Sequence, residues 1–125
     1  DVGSVKLVES IETKAYKDEK EIMDGNTAVL SSFAEDIVRD TESIICGNGI
    51  VAYQLVNILG KKGISVPEDI SVLCFDNGYF STKGNAQIIS AGYDETILCK
   101  KLAKTITALA SGTDTGSTVL PFQLF

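Results

Sequence analysis

Histidine is missing altogether from these 125 residues, proline occurs twice, and eleven Lys and Arg face seventeen Asp and Glu, for a net charge of −6. Each shortage removes a class of function. Histidine is the side chain whose ordinary pKa lies nearest neutral pH. Without it, no Ser or Cys is flanked by an identifiable proton acceptor, so nucleophilic catalysis is not expected and no catalytic residue is assigned. A nucleic-acid surface needs clustered Lys and Arg. The one short basic pair, Lys61-Lys62, falls at an expected helix end, where cations suit the helix dipole. DNA contact by this chain itself is therefore not expected. No run of about 20 apolar residues is present, so no membrane span is expected either. The three cysteines show no Cys-x-x-Cys or Cys/His spacing, which argues against a zinc site. Cys46 and Cys74 lie inside apolar runs and read as reduced core thiols of a cytosolic protein, while Cys99 falls in a helix. No metal and no cofactor is expected.

What is present points to a single folded domain. Apolar residues make up 44% of the chain, which with so little proline marks it as globular rather than disordered. The most informative stretch is 43–77, which reads strand, turn, helix, turn, strand. It runs Ser43-Ile-Ile-Cys-Gly-Asn-Gly49, then a helix, then Val66-Pro-Glu-Asp-Ile-Ser-Val-Leu-Cys-Phe-Asp-Asn77. Both strands end in a polar cluster. If they are parallel neighbours, Asn48 and Asp76 emerge side by side at one rim of the sheet. In open α/β sheets ligands bind at the carboxyl ends of strands.

The rest of the chain alternates in the same way. Val5, Val8 and Ile11 suit a helix over 4–14, although Val5 and Leu7 also allow a strand. Glu21-Ile22-Met23 reads as a short strand before an Asp24-Gly25-Asn26 turn. Residues 27–39 place Val29, Leu30, Phe33, Ile37 and Val38 on one helical face, with Asn26 or Thr27 as the cap. Val51, Leu55, Val56, Ile58 and Leu59 mark the helix after the first clear strand, stopped by Gly60 and Gly63. The apolar run 70–75 reads as a strand covered on both faces. Residues 77–86 read as a loop and 87–90 as another strand. Asp94 caps a long helix with Leu98, Leu102, Ile106 and Leu109 on its buried stripe, ended by Ser111-Gly112. Residues 119–125 read as a last strand whose Pro121 suits an edge or a bulge. Strands alternating with helices imply α/β architecture, a mostly parallel sheet with helices on both faces.

The phrase Val66-Pro-Glu-Asp-Ile-Ser-Val, ending in Phe75-Asp76, together with Ile44-Ile-Cys-Gly-Asn48, resembles the lac-repressor and gal-repressor family of transcriptional regulators. That family shares its effector core with periplasmic sugar-binding proteins. The resemblance covers about residues 26–125 and is looser before them. It implies a three-layer α/β/α fold, one lobe of a type I periplasmic-binding-protein-like pair. Residues 1–125 would form a single effector-binding and dimerisation lobe, with the first lobe and the DNA reader outside it. The expected function is the sensing of a small polar, sugar-like effector in a cleft between two lobes. The expected partners are that effector and a second copy in a homodimer, with DNA reached only through the N-terminal domain, in the cytoplasm.

The resemblance carries the effector contacts onto Asn48 and Asp76, with Gly49, Asn77 and Tyr93 beside them. A carboxylate accepts through two oxygens and an amide adds a donor, so the pair can grip neighbouring hydroxyls. Two positions depart from the family pattern. Its common Asp after the Asn is Gly49 here, and the Gln often found before the long helix is Tyr93, whose ring could stack on a ligand. Asn48 is also expected to cap its helix, and Asp76-Asn77-Gly78 also reads as a turn. Tyr79 and Phe80 are assigned to packing rather than to the cleft mouth. Asp76→Ala is expected to abolish effector response with the fold intact.

Three other functions compete. An extracellular solute receptor of a transporter would share the fold, but the unpaired cysteines weigh against it. A receiver-like phosphoacceptor at Asp76 would need an acidic cluster for a divalent cation, and Gly49 stands where a second carboxylate is required. Gly47-Asn-Gly49 also lacks the Gly-Lys-Ser/Thr ending of a phosphate loop. A pure dimerisation module is permitted by Ile50, Val51 and the Tyr79-Phe80 loop.

Overall fold

A computed structural model describes residues 19–37, 40–82 and 87–125 of the chain. Within them the order is α1 (Glu19–Ile37), β1 (Ser43–Cys46), α2 (Gly49–Lys61), β2 (Ser71–Cys74), α3 (Tyr79–Thr82), β3 (Ile88–Gly92), α4 (Glu95–Ala110) and β4 (Gln123–Leu124). The strands form one sheet in the order β1-β2-β3-β4. The first three are parallel, and β4 pairs antiparallel with β3 at the edge. The α/β class with a mostly parallel sheet follows directly. The helix expected over 4–14, the Val38 position and part of the loop expected over 77–86 lie outside the described residues.

The core forms where period-two and period-3.6 patterns meet. Along β1 and β2, Ile44, Cys46, Val72 and Cys74 are buried on one face, as strand alternation requires. Ala52, Leu55, Ile58 and Leu59 of α2 close over that face, and Leu30 and Ala34 of α1 pack behind them. Leu55 and Leu59 are essentially inaccessible to water, and truncating either to Ala would cost about 2–5 kcal/mol. α2 starts on an Asn48 cap, whose Oδ1 accepts the Val51 N–H at 3.0 Å. It ends at Lys61, and Gly63 takes up the left-handed conformation just beyond. Gly60, expected to share in stopping this helix, lies inside it.

Several expectations fail for physical reasons. First, α1 runs straight through the expected strand at 21–23 and turn at 24–26. Asn26 does not cap a helix. It is buried, only 3% exposed, and donates from Nδ2 to Gln54 Oε1 at 3.0 Å. Gln54 in turn donates to the Met23 carbonyl and to Thr27 Oγ1. Gly25 costs a helix about 1 kcal/mol; packing of α1 on α2 through this satisfied polar network outweighs it. Second, a short helix, α3, stands in the expected loop, with Ser81 and Thr82 hydroxyls donating to the Gly78 carbonyl.

Third, the buried stripe on α4 is not buried. Leu102 is 51% exposed, Ile106 64% and Leu109 58%. Asp94 caps the helix as expected, its Oδ1 accepting the Ile97 N–H, and Ser111 closes it. Helical periodicity specifies an apolar side, not what covers it, and no other described helix or strand packs closely on α4. Fourth, the sheet face opposite α2 is open among the described residues: Ile45, Phe75 and Ile89 are exposed there. The apolar run 70–75 tolerates cover on both faces but does not supply it. The last strand is also shorter than 119–125, beginning after Pro121 and Phe122.

Candidate ligand-binding site

β1 and β2 run in parallel with Cys46 opposite Cys74, so the residues that follow them, 47–49 and 75–78, leave the sheet at the same rim. Asp76 sits between two backbone donors. Its Oδ2 accepts the Gly49 N–H and its Oδ1 accepts the Gly78 N–H, both at 2.7 Å. One of these ties it to the first turn of α2, where unpaired N–H groups and the helix dipole favour an anion. The other closes the turn after β2. Asp76 is thus half-buried and tethered, and its removal would disturb the turn as well as any ligand contact. The expectation that Asp76→Ala leaves the fold untouched is revised on this ground.

The small size of residue 49 has a steric cause. A Cβ on Gly49 would lie 3.0 and 3.1 Å from the two Asp76 carboxylate oxygens and 3.1 Å from the Ser81 backbone nitrogen. A side chain at 49 and this placement of Asp76 compete for the same space. Gly49 is buried, and only its N–H reaches the carboxylate. Asn48, next to it, is exposed. Its Oδ1 is used by the helix cap, which leaves the Nδ2 donor for another partner.

Asn77 is held from the other side. Its Oδ1 accepts the buried Ser90 hydroxyl at 3.0 Å. The backbone of β3 comes so close that a Cβ on Gly92 would lie 3.0 Å from the Asn77 nitrogen. Ser90 also exchanges both backbone hydrogen bonds with Phe125. These contacts bring the turn after β2, the end of β3 and residue 125 together around an open concavity of about 470 Å³. Asn77, Gly78, Tyr79, Thr82, Asp94, Glu95, Thr96 and Phe125 line it.

The sequence-derived set is therefore divided in space. Asn77 lines the concavity, Asp76 stands directly behind Gly78, and Asn48 and Gly49 lie on the α2 side of Asp76. Tyr93 borders a separate narrow crevice with Ile97, Leu120 and Pro121, its ring edge-on to Phe122 at 5.3 Å. Three features escaped the sequence reading. Asp94 and Glu95 enter the lining because the cap of α4 faces the turn after β2. Tyr79, assigned to packing, is 63% exposed and forms a wall. Phe80 does pack, against Tyr53 of α2 at 5.9 Å. A helix-cap motif directly after a strand end was the available signal for Asp94.

The paired thiols lie one layer below this rim. Burial, with the neighbouring Cys74 thiol second, pushes the Cys46 thiol up to about 12. Burial also raises Cys74, whose Sγ donates to the Asp76 carbonyl at 3.3 Å. Both remain protonated at neutral pH and act as small apolar side chains. Cys99 is exposed on α4, unlike the two core thiols. Among the described residues no group of three or more Cys, Asp or Glu side chains could hold a metal ion, and no helix is long and apolar enough to cross a membrane.

Comparison with known proteins places this geometry in context. A family profile described as a periplasmic binding protein-like domain matches residues 8–120. The HTH-type transcriptional repressor PurR of Vibrio atlanticus (strain LGP32) is 40% identical over 73 residues, covering 53% of this chain and 21% of that protein. The lactose complex of a LacI family transcriptional regulator from Arthrobacter sp. FB24 superposes with a TM-score of 0.68 at 21% identity, over 82% of this chain and 40% of that one. The transcriptional regulator CelR in complex with cellobiose gives 0.61 at 17% identity, over 82% and 32%. These two structural likenesses are likenesses of fold. The chain spans about a fifth of the curated relative's length and less than half of either structure.

Proposed function

The chain belongs to the periplasmic binding protein-like domain family, in the form found in LacI- and PurR-type transcriptional regulators, and from this we propose that it is one lobe of the effector-sensing core of such a regulator. The lobe binds a small, hydroxyl-rich molecule at the carboxyl rim of its sheet, against a second lobe. Asn48 and Asp76 grip hydroxyls, and Asn77 and the Gly49 backbone shape the floor, while Tyr93 stands outside the site, on the neighbouring crevice. Ligand held better by a closed pair of lobes shifts the population of closed molecules, and that differential affinity reorients the attached DNA-binding domains. No bond is made or broken. The lobe works in the cytoplasm, as part of a homodimer, and reaches DNA only through another domain.

The observation that supports this reading best is the meeting of the Asn48 and Asp76 strand ends on one rim beside a concavity of about 470 Å³. A carboxylate fixed by two backbone donors keeps lone pairs directed at solvent without needing to reorganise when a hydroxyl arrives. The test uses Asn48→Asp in the full-length regulator. Aspartate caps helices as well as asparagine, so the fold is kept while the Nδ2 donor is lost. Calorimetric titration with lactose and cellobiose should show an affinity at least about tenfold weaker, the equivalent of one lost hydrogen bond, at unchanged melting temperature. Unchanged affinity would refute the role of Asn48 and with it the proposed grip.

A further inference from the structure

The concavity has an aromatic wall and an acidic one, and together they restrict what can enter. Tyr79 lines the cavity and is 63% exposed. Its position is set by Phe80, which meets it edge-to-face at 5.5 Å and 78°, and Phe80 is itself held by Tyr53 of α2. A three-ring chain thus runs from the helix that begins at Asn48 to the cavity wall, and a ring braced in this way loses little freedom when a ligand lies on it. Tyr93 is placed otherwise, with its ring engaged by Phe122 outside the cavity. Asp94 and Glu95 stand in the lining, with Asp76 behind Gly78, and no Lys or Arg is among the described lining residues. The start of α4 would otherwise attract an anion; here the Asp94 side chain already takes the Ile97 N–H, and Glu95 adds charge in the first turn.

We propose that Tyr79, not Tyr93, is the stacking platform of this site, and that the site takes an uncharged ring with one apolar face and hydroxyls at its edge, such as a pyranose, while turning away its phosphorylated form. The inference rests on the effector-binding reading above. A pyranose laid on Tyr79 covers its C–H face with an apolar surface and directs its hydroxyls toward carboxylate acceptors. A phosphate in the same place meets carboxylates instead of donors, a repulsive element that sharpens specificity.

The experiment is calorimetry on the full-length regulator with glucose, lactose, cellobiose and glucose 6-phosphate. The wild type should bind at least one of the three neutral sugars and bind glucose 6-phosphate more weakly than glucose. Tyr79→Ala should weaken the neutral sugar about tenfold, Tyr79→Leu by nearly as much, and Tyr79→Phe little, because stacking needs the ring and not the hydroxyl. Tyr93→Ala should change affinity by less than about twofold. Melting temperatures of all four variants establish that they are folded. Tyr79→Ala binding as wild type while Asn48→Asp binds poorly would overturn the role of Tyr79 and leave the effector-binding reading standing. Tighter binding of glucose 6-phosphate than of glucose would overturn the exclusion of anions. Binding of none of the neutral sugars by the wild type would overturn the whole inference.

Discussion

Removal of the Asp76 carboxylate offers the sharpest test of how this rim is built. The side chain accepts two backbone N–H groups at 2.7 Å, one from each side of the site. A hydrogen bond to a charged acceptor contributes about 1.5–3 kcal/mol, so Asp76→Ala could cost about 3–6 kcal/mol if both donors were left unpaired. Asp76 is only half-buried, and water can reach part of the vacated space, which sets the expected cost near the lower end, about 3 kcal/mol. Asp76→Asn keeps the volume and one acceptor oxygen, but its amide group turns a donor toward whichever N–H it faces. That variant should lose about half as much. Urea denaturation at fixed pH and ionic strength, with m unchanged across the three proteins, measures both values. The expected order is wild type, Asn, Ala. An Asn variant as stable as the wild type would refute the argument, as would an Ala variant within about 1 kcal/mol of it.

Two further outcomes follow from contacts around the rim. Gly92→Ala puts a Cβ against backbone atoms of residue 77, which cannot swing aside; it should cost about 1–3 kcal/mol, whereas Gly47→Ala, with nothing within 4 Å of its Cβ, should stay within about 0.5 kcal/mol of wild type by the same assay. Between the ordinary thiol value of 9.0 and about 12, Cys46 is protonated in the folded chain and ionised in the unfolded one. The folded state then holds the extra proton, so stability should fall as pH rises through this window, by up to about 1.4 kcal/mol per pH unit from this group. Comparing urea stability at about pH 8 and about pH 10 should show a shallower decline for Cys46→Ala, and an unchanged slope would contradict the assignment.

The elements legible from the sequence alone were those governed by short-range rules. β1, α2, β2 and the Asp94-capped α4 follow from runs of β-branched residues, 3.6-residue spacing and capping side chains, each of which acts within one or two turns of chain. The phrase leading to Asp76 likewise fixed which strand ends carry the polar clusters. Tertiary structure decided the rest, because it depends on which surfaces meet. The Asp24-Gly25-Asn26 triplet forms a turn in isolation, but the polar network from Asn26 to Gln54 and packing on α2 make it helix. The apolar stripe of α4 is plain in the sequence, yet nothing in its spacing says whether another element covers it. Tyr79 and Tyr93 carry the same side chain. Only the fold separates them, with Tyr79 against Phe80 in the lining of the cavity and Tyr93 against Phe122 beside a narrow crevice.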